Sequence, residues 1–206
     1  MTPKGFRKLP KEFYLRSAVI TAKELIGKYF FRKNGSSFLS GIIVETEAYT
    51  GLNDPAAHSF NGLTPRNAVM FEEGGIAYVY FTYGNHYCVN AVTCRKGNPG
   101  AVLIRAVEPV SGIEIMKRNR GTDDIFNLTS GPGKLTKAMN IRRELNGASL
   151  LGNEIFIAEK LNENKKPLIE RSKRIGITKN TEKLYRFCEK DNKFVSRSPK
   201  KLLNKK

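Results

Sequence analysis

Three cysteines and two histidines are all that this 206-residue chain contains of those two metal-binding side chains. Cys88, Cys94 and Cys188 are odd in number and show no CxxC spacing, which argues against both a disulfide framework and a cysteine-rich zinc site. A reducing cytoplasm is the simplest compartment for such a chain. Long apolar runs are missing too. Stretches such as Ala101–Ile104 are far too short to span a bilayer. The basic segment Met1–Lys11 is followed by no apolar stretch, so no signal peptide is expected. Neither an internal repeat nor a low-complexity tract is present.

Acidic residues are scarce: 19 Asp and Glu face 36 Lys and Arg, giving a net charge of +17. A field of that sign attracts polyanions and speeds encounter with them. DNA, RNA and anionic membranes all qualify, and a merely solubilising charge is the alternative. The absence of a strongly amphipathic basic helix weighs against the membrane. With 40% hydrophobic residues the chain can build a true core.

Apolar periodicity predicts a helix over residues 12–27, closed by Gly27. Strands are expected at 28–33 and 38–49, joined by an Asn34-Gly35 turn, and at 76–83, 87–94, 101–108 and 150–159. Helices are expected at 111–120 and from Leu135, after the Gly-Pro-Gly of residues 131–133. Residues 50–73 read as a long aperiodic loop, which in a compact domain is usually functional. Residues 160–180 read as polar loop. Without βαβ alternation the fold class is α+β, in one domain covering 1–206. The basic ends, 1–11 and 197–206, are expected to be flexible.

Strict strand alternation would put Glu45, Glu47 and Tyr49 on one face and Val44 and Thr46 on the other. Two carboxylates on an apolar strand are costly unless paired or used. Glu47 beside an aromatic ring suits a partly desolvated general base, although acids that are solvated or paired with arginine give the same pattern. His58, in the long loop, can serve as a ligand, a base or a stacking surface. Glu45, Glu47, Asp54 and His58 could together hold a metal, but no HExxH or comparable spacing supports it. Tyr78, Tyr80, Tyr83 and Tyr87 cluster within ten residues. Such rings stack on unpaired bases or wedge into a duplex, and they also build ordinary β-sheet cores. Asn90 can read a base edge, and Arg105 can hold a nearby carboxylate ionised.

Taken together these stretches resemble the alkyladenine (3-methyladenine) DNA glycosylase family. The motifs are VETEAY (44–49), DPAAHS (54–59), TPRNAVMF (64–71), YVYFTYG (78–84), NHYCVN ending at Asn90, VLIRAVEP (102–109), SGPGKLTKAMNI (130–141), RIGI (174–177) and RFCEKDNKFVS (186–196). The resemblance implies a curved, mostly antiparallel sheet with surrounding helices. It implies that Glu47 activates a water for attack on C1′ of a flipped nucleotide and that Arg105 helps to position that water. Tyr49, His58 and Tyr80 are then the walls that sandwich the extruded base, with the backbone amide of His58 reading its edge. Tyr83 becomes the wedge that enters the DNA stack, and Asn90 the residue that excludes guanine through its 2-amino group. Thr82 and Asn85 depart from the bulkier apolar residues that flank the wedge in mammalian members, and His86 has no role in the pattern.

The implied partner is double-stranded DNA carrying a damaged purine, alkylated or deaminated. Arg66, Lys134, Lys137 and Arg186 are candidate backbone contacts, and Gly131 and Gly133 allow backbone amides near a phosphate. No cofactor or metal is needed for a carboxylate-activated water, no lysine is singled out for a strand-cutting lyase step, and a monomer is expected. Two other readings stand beside this one: a non-catalytic nucleic-acid-binding module, and a metal-dependent nuclease built on Glu45, Glu47, Asp54 and His58.

Overall fold

The computed structural model describes residues 2–163 and 166–196. In chain order the elements are β1 (Phe6–Lys8), α1 (Lys11–Tyr14), α2 (Ala18–Leu25), β2 (Tyr29–Asn34), β3 (Ser37–Tyr49), β4 (Ala77–Thr82), β5 (His86–Thr93), β6 (Gly100–Ser111), α3 (Ile113–Arg120), α4 (Pro132–Ala138), β7 (Ile155–Lys160), β8 (Ile169–Ser172) and β9 (Arg186–Glu189). The strands form one antiparallel sheet in the order β1-β7-β2-β3-β6-β5-β4. β9 joins the far end of β3 and carries β8 on its other edge. The sheet curls into a half-barrel, and with four helices the fold is α+β. Among the described residues no helix is long and apolar enough to cross a membrane.

The expected helix over 12–27 is two helices. Ser17 accepts a hydrogen bond from Ile20 N and caps α2, so the chain must leave helical geometry before it. The carbonyl of the buried Tyr14 accepts from Cys94 N rather than from a continuing helix. The β2–β3 turn falls on Gly35-Ser36, one residue beyond the expected pair, because Asn34 still pairs with Ser37. Of the strand expected at 150–159, only the part from Ile155 is extended. Strands β8 and β9 are short and had no periodicity to announce them. Within the end expected to be flexible, 1–11, Phe6, Arg7 and Lys8 pair with Lys160, Glu159 and Ala158, and Leu9 is buried. The other expected flexible end, 197–206, lies outside the described residues.

β3 and β6 form the longest pairing, and they depart from regular register on the way to the site. Ile43 faces Val107 and Glu45 faces Ala106, so Val44 is an extra residue. Glu45 faces Ala106 and Thr46 faces Ile104, so Arg105 is extra on the partner strand. A bulge re-aims the side chains around it. Ile43, Ala48, Ile104 and Val107 lie in the main core together with α2 and α4 residues such as Leu25 and Leu135. Thr46 also turns to that side, donating to Ala22 O of α2. Glu45, Glu47, Tyr49 and Arg105 take the opposite face. Val44 does not join Thr46 as strict alternation predicts; it packs against Ala106 and Phe194.

The segment leaving β3 is held by close backbone approach. Gly51 has φ +77°, and a Cβ there would lie 1.7 Å from the carbonyl oxygen of Pro99. Only glycine fits this position, and it sets the start of the loop that brings Asp54 and His58 back over the sheet.

Candidate active site

A cavity of about 400 Å³ opens beside strands β3 to β6, on the face that carries Tyr49 and Arg105. Its border includes Tyr49 from β3, His58 from the long loop, Tyr78 and Tyr80 from β4, Asn90 from β5 and Arg105 from β6. Ile175, Gly176 and Ile177 from the β8–β9 connection close another side. Six separate segments therefore converge on one space.

Glu47 is fully buried and sits behind this wall rather than in it. Three of the bordering residues bond it. Tyr49 donates its hydroxyl to Oε2 at 2.9 Å, the amide of Ile175 donates to Oε1 at 2.7 Å, and Arg105 Nη1 lies 3.4 Å from Oε1. Each carboxylate oxygen has two acceptor positions, so capacity for a further donor remains.

Arg105 is anchored from below. Its Nε donates to Glu45 Oε1 at 2.9 Å, and Arg186 Nε donates to the same atom at 2.7 Å. Ser196 adds its backbone amide to Glu45 Oε2 and its hydroxyl to Oε1. Two carboxylates and two guanidiniums thus form a buried, charge-balanced group, which is the condition under which buried ions are tolerated. Burial alone would raise the Glu45 carboxyl; Arg105 and Arg186, with the Ser196 bonds, more than offset it and hold it below its ordinary value. Burial works the other way on Arg105, but the two glutamates outweigh it and keep the guanidinium firmly charged.

The aromatic wall is continuous. The rings of Tyr78 and Tyr80 are 5.1 Å apart and those of His58 and Tyr80 4.5 Å, edge to face. His58 Nδ1 shares a hydrogen bond with Tyr78 OH at 3.0 Å. Burial, and then the charge of Arg66, lower the imidazole pKa below its ordinary 6.5, so the ring is neutral at pH 7. Asn90 is buried on the neighbouring strand, with Nδ2 donating to Tyr78 O at 3.1 Å. Tyr83 stands at the tip of the β4–β5 hairpin, 77% exposed and with φ +51°. Its backbone is held in the left-handed region without being glycine, and its ring stands in solvent at the cavity border.

The basic candidates separate. Arg66 is exposed, its guanidinium 6.0 Å from the Tyr80 ring centroid at the cavity border. Lys134 and Lys137 line a second cleft of about 570 Å³ together with Arg120 and Arg142. His86 and Pro132 border both spaces. His86 also bonds Asn85 Oδ1 and packs so closely on Gly133 that a Cβ there would meet its ring at 2.6 Å. Arg186, expected at a phosphate, is instead wholly buried. Its charge is spent on Glu45, and Ser172 takes Nη1.

Sequence reasoning gave no role to Arg174, Ile175 or Ser196, and took the Asp54 carboxylate only as a candidate metal ligand of the nuclease alternative. Asp54 binds both terminal nitrogens of Arg174, at 2.5 and 2.8 Å. This also bears on the nuclease reading: Glu45 and Asp54 are taken up by guanidiniums and His58 by Tyr78. No group of three or more His, Cys, Asp or Glu side chains placed to hold a metal occurs among the described residues.

The profile of the methylpurine-DNA glycosylase family matches residues 12–193. Relatives provisionally named 3-methyladenine DNA glycosylase align over nearly the full length of both chains. One from Carboxydothermus hydrogenoformans is 48% identical over 92% of this chain and 98% of its own. One from Prosthecochloris aestuarii is 46% identical over 91% and 90%, and one from Clostridium acetobutylicum 45% over 92% and 97%. With a profile spanning most of its length and relatives this similar end to end, the chain belongs to the methylpurine-DNA glycosylase family.

Proposed function

We propose that the protein excises damaged purines from double-stranded DNA by hydrolysing the N-glycosidic bond, with Glu47 as general base. A base inside a duplex is out of reach and must be everted, at a few kcal/mol of unstacking. The everted purine would enter the 400 Å³ cavity and stack on the Tyr49, His58 and Tyr80 rings. A cationic alkylated base such as 3-methyladenine is attracted to electron-rich tyrosine faces, and it leaves as a neutral molecule. Hypoxanthine and ethenoadenine are further candidates of the same size.

A water held beside Arg105 would reach the free lone pair of Glu47 Oε2, which takes only the Tyr49 hydroxyl. Glu47 takes its proton as the oxygen attacks C1′, and the bond to the purine nitrogen breaks with its electrons going to the base. Arg105 orients the water and balances the carboxylate. Tyr83 fills the gap left in the stack. Arg66, Lys134 and Lys137 contact phosphates, so affinity falls steeply with salt. Lys179 borders the cavity but is exposed. It forms no bond to C1′, and the strand is left uncut. The protein acts as a monomer in the cytoplasm, without cofactor.

The carrying observation is the burial of Glu47 directly behind Tyr49, Arg105 and Ile175, three residues of the cavity border. Release of free base from duplexes containing 3-methyladenine, hypoxanthine or ethenoadenine tests the reading. Glu47→Gln should lose about 10²–10⁴-fold in rate, the usual worth of a general base. An unchanged rate in that variant removes Glu47 from the mechanism. Salt-sensitive binding with no base release on any substrate favours the alternative, a non-catalytic nucleic-acid-binding module.

A further inference from the structure

One buried ion pair outside the reacting group touches three parts of the site at once. The Arg174 side chain and Asp54 are both fully buried and meet in a two-toothed contact. Arg174 Nη1 also donates to Ala48 O, at the end of β3 between Glu47 and Tyr49. Its guanidinium lies 4.6 Å from the centroid of the Tyr49 ring, so one face of that ring is covered and only the other can receive a base. The next amide along the chain, Ile175 N, is the 2.7 Å donor to Glu47. Asp54, for its part, accepts from the amides of Thr50 and Ala56 and thereby shapes the loop that ends in His58.

The connection from residue 173 to 185 has no regular secondary structure of its own. The Ala48 amide donates to Tyr185 O where the connection meets β9; at its start the bonds to β3 involve the Arg174 and Glu47 side chains, and Asn180 Nδ2 adds a further bond to Asp54. We infer that Arg174 and Asp54 are positioning residues for the glycosylase reaction: their contact sets the Ile175 amide on Glu47, fixes the plane of Tyr49 and holds the His58 loop opposite. This rests on the glycosylase reading above. Neither residue touches substrate. A planar fork against a carboxylate fixes direction as well as distance, which lysine cannot reproduce.

The test uses the full chain with Arg174→Lys, which keeps the charge and loses the fork. The double variant Asp54→Asn with Arg174→Gln removes both charges together and leaves no lone buried ion. Single-turnover release of ethenoadenine, affinity for a duplex carrying a stable abasic-site analogue, and amide hydrogen exchange are measured on each. The excision rate should fall about tenfold to a hundredfold, the scale of a catalytic group displaced by an ångström, with duplex affinity changed less than about threefold. Exchange at the Ile175 amide should accelerate while the β3–β6 amides stay protected. In a Glu47→Gln background Arg174→Lys should cost several-fold less than in the native chain, because the part of its effect that runs through Glu47 is already gone; an equal cost in both backgrounds points to a role in the fold alone. Native rates, or unchanged Ile175 protection in either folded variant, overturn the inference. Should the native chain release no base at all, the glycosylase reading fails by itself, and Ile175 exchange still decides whether the ion pair positions Glu47.

Discussion

The hydroxyl of Tyr49 donates to Oε2 of Glu47 across 2.9 Å, so a wall of the cavity and the acid behind it are joined by one hydrogen bond. Tyr49 therefore has two separable parts, a ring and a donor. Tyr49→Phe should lower the excision rate by about tenfold, the worth of one hydrogen bond to a charged group, with little change in lesion affinity. Tyr49→Ala should lose affinity as well, because the stacking face goes with it. Single-turnover rates and lesion binding on both variants separate the two.

The Glu45 group sets a prediction for stability. Removing one partner of a buried ion pair costs about 3–5 kcal/mol because the other charge is stranded. Glu45→Gln removes the carboxylate charge that Arg186 and Arg105 share, so its thermal midpoint at pH 7 should drop well below that of the native chain. The Glu45 and Asp54 carboxyls are both held below their ordinary values, 4.5 and 3.8. Their stabilisation is complete above those unfolded values and is lost as pH falls through the lower folded ones. Acid unfolding of the native chain should be steep in that window and shallower in Glu45→Gln, as followed by circular dichroism.

His58 gives a second pH effect. Its folded pKa lies below 6.5 through burial and the nearby Arg66. The neutral ring thus stabilises the fold above that value, and the benefit disappears as pH falls through the lower folded one. A protonated ring would also repel a cationic base. Release of 3-methyladenine should decline toward about pH 5 more sharply than release of neutral hypoxanthine. His58→Gln, which cannot titrate, should remove the difference between the two substrates; a difference that persists points to another group.

Tyr83 should matter only where a stack must be opened. Tyr83→Ala is expected to slow excision from a duplex by about tenfold or more, given stacking worth about 1–3 kcal/mol per base. On the same lesion in a single strand the variant should match the native chain. Equal losses on both substrates would move Tyr83 from the duplex to the pocket.

Asn90 should govern rejection of normal guanine. Asn90→Ala removes the side chain that the 2-amino group would meet, and released guanine from undamaged DNA should rise above background. The hydrogen bond to Tyr78 O is lost too, so hypoxanthine release is the necessary control.

Much of this site was legible along the chain because it sits on strands, where spacing reports direction. Glu47 and Tyr49 share a face as period two requires, and Tyr80, Tyr83 and Asn90 fall on the next hairpin at the expected places. What stayed hidden is held across long sequence distances. Arg174 meets Asp54 at a separation of 120 residues, and Ser196 meets Glu45 at 151. No local pattern encodes such pairs, and a donor that is a backbone amide, such as Ile175 N, leaves no mark in residue type at all. Arg186 shows the converse: in a chain with this charge an arginine reads as surface until its carboxylate partner is known. Val44 was misplaced because alternation presumes an unbroken ladder, and the bulge sits at that very residue.

The paired offsets at Val44 and Arg105 let two neighbouring strands exchange their greasy and polar sides part-way along. Ile43 and Val107 belong to the packed interior, while Glu45, Glu47 and Arg105, of the same odd parity, form the buried ionic group behind the cavity. Hydrocarbon packing and the buried ionic group thus occupy opposite flanks of the same ribbon. An Ile43→Val exchange should therefore remove one methylene from the hydrocarbon side at a cost of about 0.5–1.5 kcal/mol and leave the contacts of Glu47 on the other flank in place.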